Sequence, residues 1–245
     1  MEREIKRESI YSKNPYVIFT YRLIGLLFSL YGLIAQACVM GDFGKFLVYF
    51  TNQTNIFVAI LFLVYVIKDI DNLFIKKNNT NFHVNSLIEM LITLYITVTI
   101  TIYWSMLYNI AFVYEGESTG VYIIKITSNL TVHGICPIMA IVHWIIFSKH
   151  GYDKYLPSLV TLIYPILYIG FLGIRSSYGP LTISTTGEES YYPYPFIELN
   201  KIGVTQFSIT IVVLTIVFAL LGLLYTFIDL FISKKLNKEN NVKNN

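Results

Sequence analysis

Six long apolar runs separated by short polar stretches make up most of the chain. They cover Tyr16–Met40, Phe46–Ile67, Ser86–Val113, Tyr122–Phe147, Leu156–Ile174 and Ile202–Ile232. Each has roughly the 20 residues that a helix needs to cross a bilayer. The pattern predicts an all-α fold, a membrane bundle of six transmembrane helices over residues 16–232. A polar segment, 1–15, precedes it. A tail of Lys and Asn, 233–245, follows, and its composition predicts disorder.

Composition sharpens this picture. Apolar residues make up 55% of the chain and charged residues 13%, against a usual charged share of about 25%. The mean hydropathy is +0.58. The formal net charge of +3 therefore reads as a topology signal, and no nucleic-acid partner is expected. If the N-terminus lies inside, 14 of the 18 basic residues fall on the inner side; the outer side carries Lys45, Lys125, Arg175 and Lys201. That asymmetry predicts both termini in the cytoplasm. Arg22 and Glu89 lie close enough to their span ends to reach the headgroups. His143 reads as interfacial, and His83 and His150 fall in loops. Cys38 and Cys136 have no partner spacing, so neither a disulfide nor a metal site is expected. The abundance of Lys, Asn and Ile points to an AT-rich bacterial genome and hence a bacterial cell membrane.

Polar side chains deep in an apolar run are costly, because hydrocarbon offers them no water. The densest group is Thr51-Asn52-Gln53-Thr54-Asn55, near the start of the second span. Thr51 is predicted roughly 7–8 Å along that helix, and Thr51, Thr54 and Asn55 share one face. In the fourth span Asn129, His133 and Pro137 recur every four residues, with His133 roughly 16 Å from the outer end. Proline has no N–H for the carbonyl four residues back, so a kink or widened turn is predicted at His133. Both polar faces fall in the outer half, with Tyr103, Trp104, Tyr108 and Asn109 on the rim. Thr and Asn in membrane helices also serve as interhelical hydrogen-bonding groups, whereas an intramembrane His points to function. A hydroxyl and an imidazole are the minimum for nucleophilic attack on a carbonyl, with an amide such as Asn52 or Asn129 to hold the oxyanion.

Three motifs carry a resemblance to a known family. They are Phe50-Thr51 ahead of an apolar run, Asn129-Leu130-Thr131-Val132-His133 followed by Pro137, and Tyr192-Pro193-Tyr194-Pro195-Phe196 before the last span. Together they resemble the androgen-induced family of multi-pass membrane proteins, and Tyr49 to Asn55 is similar to its bacterial branch. The resemblance spans about Leu23 to Asp229. It implies hydrolysis of fatty-acid esters of hydroxy fatty acids by an intramembrane Thr/His pair. Carried over, the nucleophile is Thr51, with Thr54 the alternative, and the base is His133. Asn52, Asn129, Thr54 and Asn55 become supporting or oxyanion groups. Tyr192, Tyr194 and Phe196 become a lid over a lipid pocket. No cofactor or metal is implied, and the partner is membrane lipid. The rival from a different class is a non-catalytic lipid- or small-molecule-binding protein or transporter.

Overall fold

The computed structural model describes residues 10, 14–108, 116–151, 160–183 and 187–243. The fold is all-α. Helix α1, Pro15–Met40, starts where the Asn14 side chain accepts the Tyr16 N–H and Pro15 presets the first turn. It stops at Gly41, which adopts a φ of 64°. Helix α2, Phe43–Val48, is capped by Asp42. Tyr49 is extended, and α3, Phe50–Ile70, follows at once and ends in a π-helical turn, Asp71–Ile75. Helix α4, Ser86–Ile102, ends in a second π turn, Tyr103–Leu107. Helix α5, Thr119–Leu130, passes through a third, Thr131–Ile135, into α6, Cys136–Phe147. Helix α7, Ile163–Ser176, leads to a two-residue hairpin of β1, Thr182–Ile183, and β2, Glu189–Ser190, and then to a 3-10 turn, Pro195–Ile197. Helix α8, Leu199–Lys243, kinks at Gly203.

Among the described residues, four stretches are long and apolar enough to cross a membrane: Pro15–Met40, Ser86–Leu107, Thr119–Phe147 and Leu199–Leu236. Helix α8 covers the sixth run and runs on through Lys243, into the stretch whose composition predicts disorder. The second run is not one helix. Tyr49 divides it between α2 and α3, so the polar stretch opens α3 and does not lie partway along a helix. Residues 109–115, with the rim residue Asn109, and 152–159, with the start of the fifth run, lie outside the described residues.

Helix α3 is the centre of the bundle, packed against α1, α4 and α6. Val58, Phe62 and Tyr65 on it are fully buried. Helix α1 approaches closely at two glycines. A Cβ on Gly25 would lie 2.8 Å from the Phe62 ring, and one on Gly32 would lie 2.9 Å from Thr131 and Val132 methyl carbons. Small residues at such crossings are what let membrane helices meet without a hydrophobic drive between them.

At the end of the bundle where α1 begins, charge holds the helices together. Arg22 does not reach toward headgroups; it is fully buried. Its Nη1 meets Asp69 Oδ2 of α3 at 2.8 Å, and its Nε–H donates to His143 Nε2 of α6 at 2.9 Å. Because that nitrogen accepts, the proton of a neutral His143 sits on Nδ1, 2.8 Å from Glu89 Oε1 of α4. Ser148 Oγ donates to the same carboxylate oxygen. Glu89 is likewise buried, not at the headgroups. The Arg22 guanidinium also lies 3.8 Å from the centre of the Tyr65 ring. The loop after α3 closes this end: the Phe82 N–H donates to Asp69 Oδ1 and the Phe82 carbonyl accepts from Arg22. Nearby, Asp229 of α8 takes the Gly151 N–H and faces His150 Nδ1 at 3.0 Å.

Removing one partner from a buried ion pair strands the other, at a cost of about 3–5 kcal/mol, whereas replacing both by apolar groups is often near neutral. Thermal unfolding in detergent is therefore expected to show a much lower Tm for Asp69→Ala than for the double variant Arg22→Met/Asp69→Leu. Equal losses in both would show that the pair is not what ties α1 to α3.

Candidate functional site

The site forms at the opposite end, where the break at Tyr49 leaves the first N–H groups of α3 without helical partners. Two tyrosines from distant segments supply them. Tyr168 of α7 donates to the Val48 carbonyl at 2.9 Å while its oxygen accepts the Phe50 N–H at 3.1 Å. The Thr51 N–H donates to the Tyr194 hydroxyl at 3.4 Å, and the same hydroxyl lies against the Thr51 side chain. Burial pushes the Tyr194 phenol up to about 12, so it stays a neutral donor at physiological pH. Thr51 thus sits at the positive end of the α3 dipole, beneath a phenol.

Thr51 lines a cavity of about 240 Å³. Its walls come from α4 and the π turn after it (Ile102, Tyr103), α7 (Ile166, Ile169), α8 (Leu214, Phe218) and the segment carrying Tyr194 and Phe196. Polar atoms on the lining are hydroxyls, those of Thr51, Thr99 and Thr215 and of three tyrosines; among the described residues that line it, none is charged. Tyr194 and Phe196 stack at 5.4 Å over the end near Thr51. Two of the three residues assigned to a lid, Tyr194 and Phe196, are thus part of the cavity lining. Tyr192 lies beside it, with its N–H on Glu198 Oε2. The acidic loop residue Glu198 does not present its charge to the cavity. It is buried and accepts the N–H groups of both Tyr191 and Tyr192, at 3.1 Å each.

The remaining polar residues of the α3 start hold helices together. Asn52 Nδ2 donates to the Phe46 carbonyl and Gln53 Nε2 to that of Leu47, stapling α2 to α3. Thr54 Oγ1 meets Thr99 Oγ1 of α4 at 2.9 Å. Asn55 Nδ2 donates to the carbonyls of Thr51 and, at 3.0 Å, Val132. Asn129 Oδ1 accepts from Gln36 of α1 at 3.2 Å. Asn52 and Asn129 are thus committed to helix contacts and do not line the cavity.

His133 sits in the widened turn that Pro137 predicts: residues 131–135 are π-helical, and the freed His133 carbonyl accepts the Trp104 indole N–H at 2.8 Å. The imidazole is buried and lies face to face with Tyr103 at 3.5 Å, 8° from parallel. Among the described residues no hydrogen bond joins His133 to Thr51, and His133 is not on the cavity lining. Tyr103 is the link. It lines the cavity with Thr51 and covers His133 with its ring. Asn55 Oδ1, Tyr103 Oη and His133 Nδ1 are all buried without a hydrogen-bond partner among the described residues. Each such group costs about 1–3 kcal/mol, and two π turns, a feature common at functional sites, meet here. Among the described residues no group of three or more His, Cys, Asp or Glu is placed to hold a metal ion.

Two elements escaped sequence reasoning. Tyr103 reads as one more interfacial aromatic, and only the turn that buries it gives it a role. The Asp69–Arg22–His143–Glu89 chain left a usable trace, since ionisable residues inside apolar runs turn toward the bundle and pair. No protein-family model matches this chain, and neither a curated protein nor a solved structure does.

His83, in the loop that closes the charged end, carries a pH dependence. Burial first, then the positive charges of Arg22 and Lys149, hold its imidazole down at about 4; Glu89 opposes this and His143 adds to it. The unfolded chain therefore binds the proton first as pH falls. Stability from this group is complete above pH 6.5 and is lost progressively toward pH 4. Thermal unfolding across that window is expected to slope less in His83→Asn than in wild type, and superimposable profiles would refute the assignment.

Proposed function

We propose that this chain is a six-span membrane protein with both termini in the cytoplasm, and that its cavity binds the acyl chain of a lipid ester in the outer half of the bilayer. The basic residues support that orientation, with 14 of 18 on the inner side. The observation that carries the ligand class is the lining: an apolar tube with a threonine hydroxyl and a neutral phenol at one end and no cation. A free carboxylate would be buried there unpaired, which is costly; an ester carbonyl needs only a hydroxyl donor. The volume of about 240 Å³ falls below the roughly 300–1,000 Å³ of pockets that enclose whole drug-sized ligands, so it suits a chain with its headgroup left outside.

Hydrolysis of that ester is the second reading, favoured by the unpaired His133 imidazole one ring away from Thr51. In that reaction Thr51 Oγ attacks the carbonyl carbon and its proton passes to His133. The alkoxide leaves with that proton, and water then releases the acyl group from Thr51. In this reading the Tyr194 phenol, beside Thr51, turns its proton toward the oxyanion. The Tyr103 ring has to turn aside for His133 to reach the hydroxyl.

The deciding experiment uses the full chain in nanodiscs, with a photoreactive long-chain acyl ester for binding and a lipid-ester panel plus a fluorophosphonate for turnover. Saturable photolabelling mapped to α4, α7 or α8, and weakened at least about tenfold by filling the cavity with Thr51→Phe, is expected. Turnover lost in both Thr51→Ala and His133→Ala establishes the hydrolase. Saturable labelling without turnover leaves a lipid-binding protein. Labelling that does not saturate overturns both. Orientation is checked by impermeant thiol labelling of whole cells, which is expected at Lys201→Cys and not at Lys76→Cys.

A further inference from the structure

We infer that the ligand enters the cavity sideways from the bilayer, between α7 and α8, so that the substrate is a membrane-resident lipid and not an ester arriving from water. The inference rests on the acyl-chain reading of the cavity and adds the route.

The lid side is closed and tied. Tyr194, Ile197 and Leu181 are 8%, 2% and 2% exposed. The buried Glu198 carboxylate holds two successive lid N–H groups. Arg175 at the end of α7 donates to the carbonyls of Gly179, at 2.6 Å, and Pro180, and the β1–β2 pair closes the base of the loop. Tyr194 itself accepts the Thr51 N–H. Opening this side breaks a set of hydrogen bonds together.

The flank between α7 and α8 is different. Ile166 of α7 is 66% exposed and still lines the cavity, and Thr215 of α8 is exposed and lines it too. These side chains face the cavity and the outer surface at once, so the wall there is one side chain thick. On α8 the lining residues Ile211, Leu214, Thr215 and Phe218 form a single stripe at helical spacing. Helix α7 is short, carries Pro165 in its first turn, and has little close backbone packing with its neighbours; its tyrosine rings fill the space. Only 11% of the most apolar stretch of α8 is buried. The hydrogen bond at this gap is local to α8, from the Thr215 hydroxyl to the Ile211 carbonyl at 2.8 Å, so side chains there move without untying α7 from α8. In the six-span reading, the outside of this uncharged, apolar gap is hydrocarbon, which admits a lipid chain and excludes a polar solute.

The test compares labelling rates of a photoreactive palmitoyl ester supplied in phosphatidylethanolamine/phosphatidylglycerol nanodiscs. Ile166→Trp/Thr215→Trp narrows the gap, and Gly170→Trp, at an α7 position where an added Cβ meets nothing within 4 Å, is the control for bulk. Glu198→Gln loosens the lid. The gap variant is expected to label at least about tenfold more slowly than wild type, with the other two close to wild type. A gap variant that labels at the wild-type rate while Glu198→Gln labels faster makes the lid the doorway and overturns the inference, leaving the cavity reading intact. Absence of saturable labelling in wild type removes the cavity reading and the route with it. Melting curves of the gap variant within the range of the Gly170→Trp control establish that slow labelling is not unfolding.

Discussion

Everything in this bundle has to accommodate the cost of charge away from water. Four buried ionisable side chains from α1, α3, α4 and α6 meet at one end, and none is tolerable alone. The guanidinium of Arg22 binds Asp69 on one side and His143 on the other, and His143 passes the chain on to Glu89. The hand-off fixes the imidazole tautomer and sets the relative heights of four helices. Dispersion between apolar helices in lipid is weakly directional, so a hydrogen-bonded charge chain is the element that specifies which faces meet.

The opposite end follows a softer rule. Its polar groups are neutral, and most are spent on contacts between helices or across the α2–α3 break. What remains is small: the Thr51 hydroxyl, the Tyr194 phenol above it, and His133 behind Tyr103. Holding one end rigid by charge leaves the other free to keep a cavity and several unpaired polar atoms, a distribution of strength common where a site needs to move.

Both halves of the site are consequences of backbone interruptions. Tyr49 ends one helix and exposes the N–H groups that recruit Tyr168 and Tyr194, and those tyrosines bring α7 and the lid over Thr51. Pro137 widens the turn at His133, and the freed carbonyl draws in Trp104 beside Tyr103. A continuous pair of helices in these places would satisfy its own backbone and leave no reason for the neighbouring segments to converge.

By itself the sequence determined that the chain is helical and carries runs long and apolar enough to cross a membrane, because a backbone in such runs satisfies its own hydrogen bonds only as a helix. It also determined the widened turn at His133, since a missing N–H is a local fact about Pro137. The cluster from Thr51 to Asn55 was legible as an anomaly, and Thr51, Tyr194 and Phe196, which the resemblance grouped, line one cavity. Only the tertiary structure decided which polar residues are structural. A hydrogen bond to another helix, like that of Asn129 to Gln36 or Thr54 to Thr99, depends on rotation and height that no single helix encodes. The same holds for Arg22 and Glu89, whose place near span ends fits solvent as well as burial until their partners on other helices are known. It holds for Tyr103 too: its ring covers His133 on one side and lines the cavity with Thr51 on the other because two π turns, distant in sequence, face each other in space.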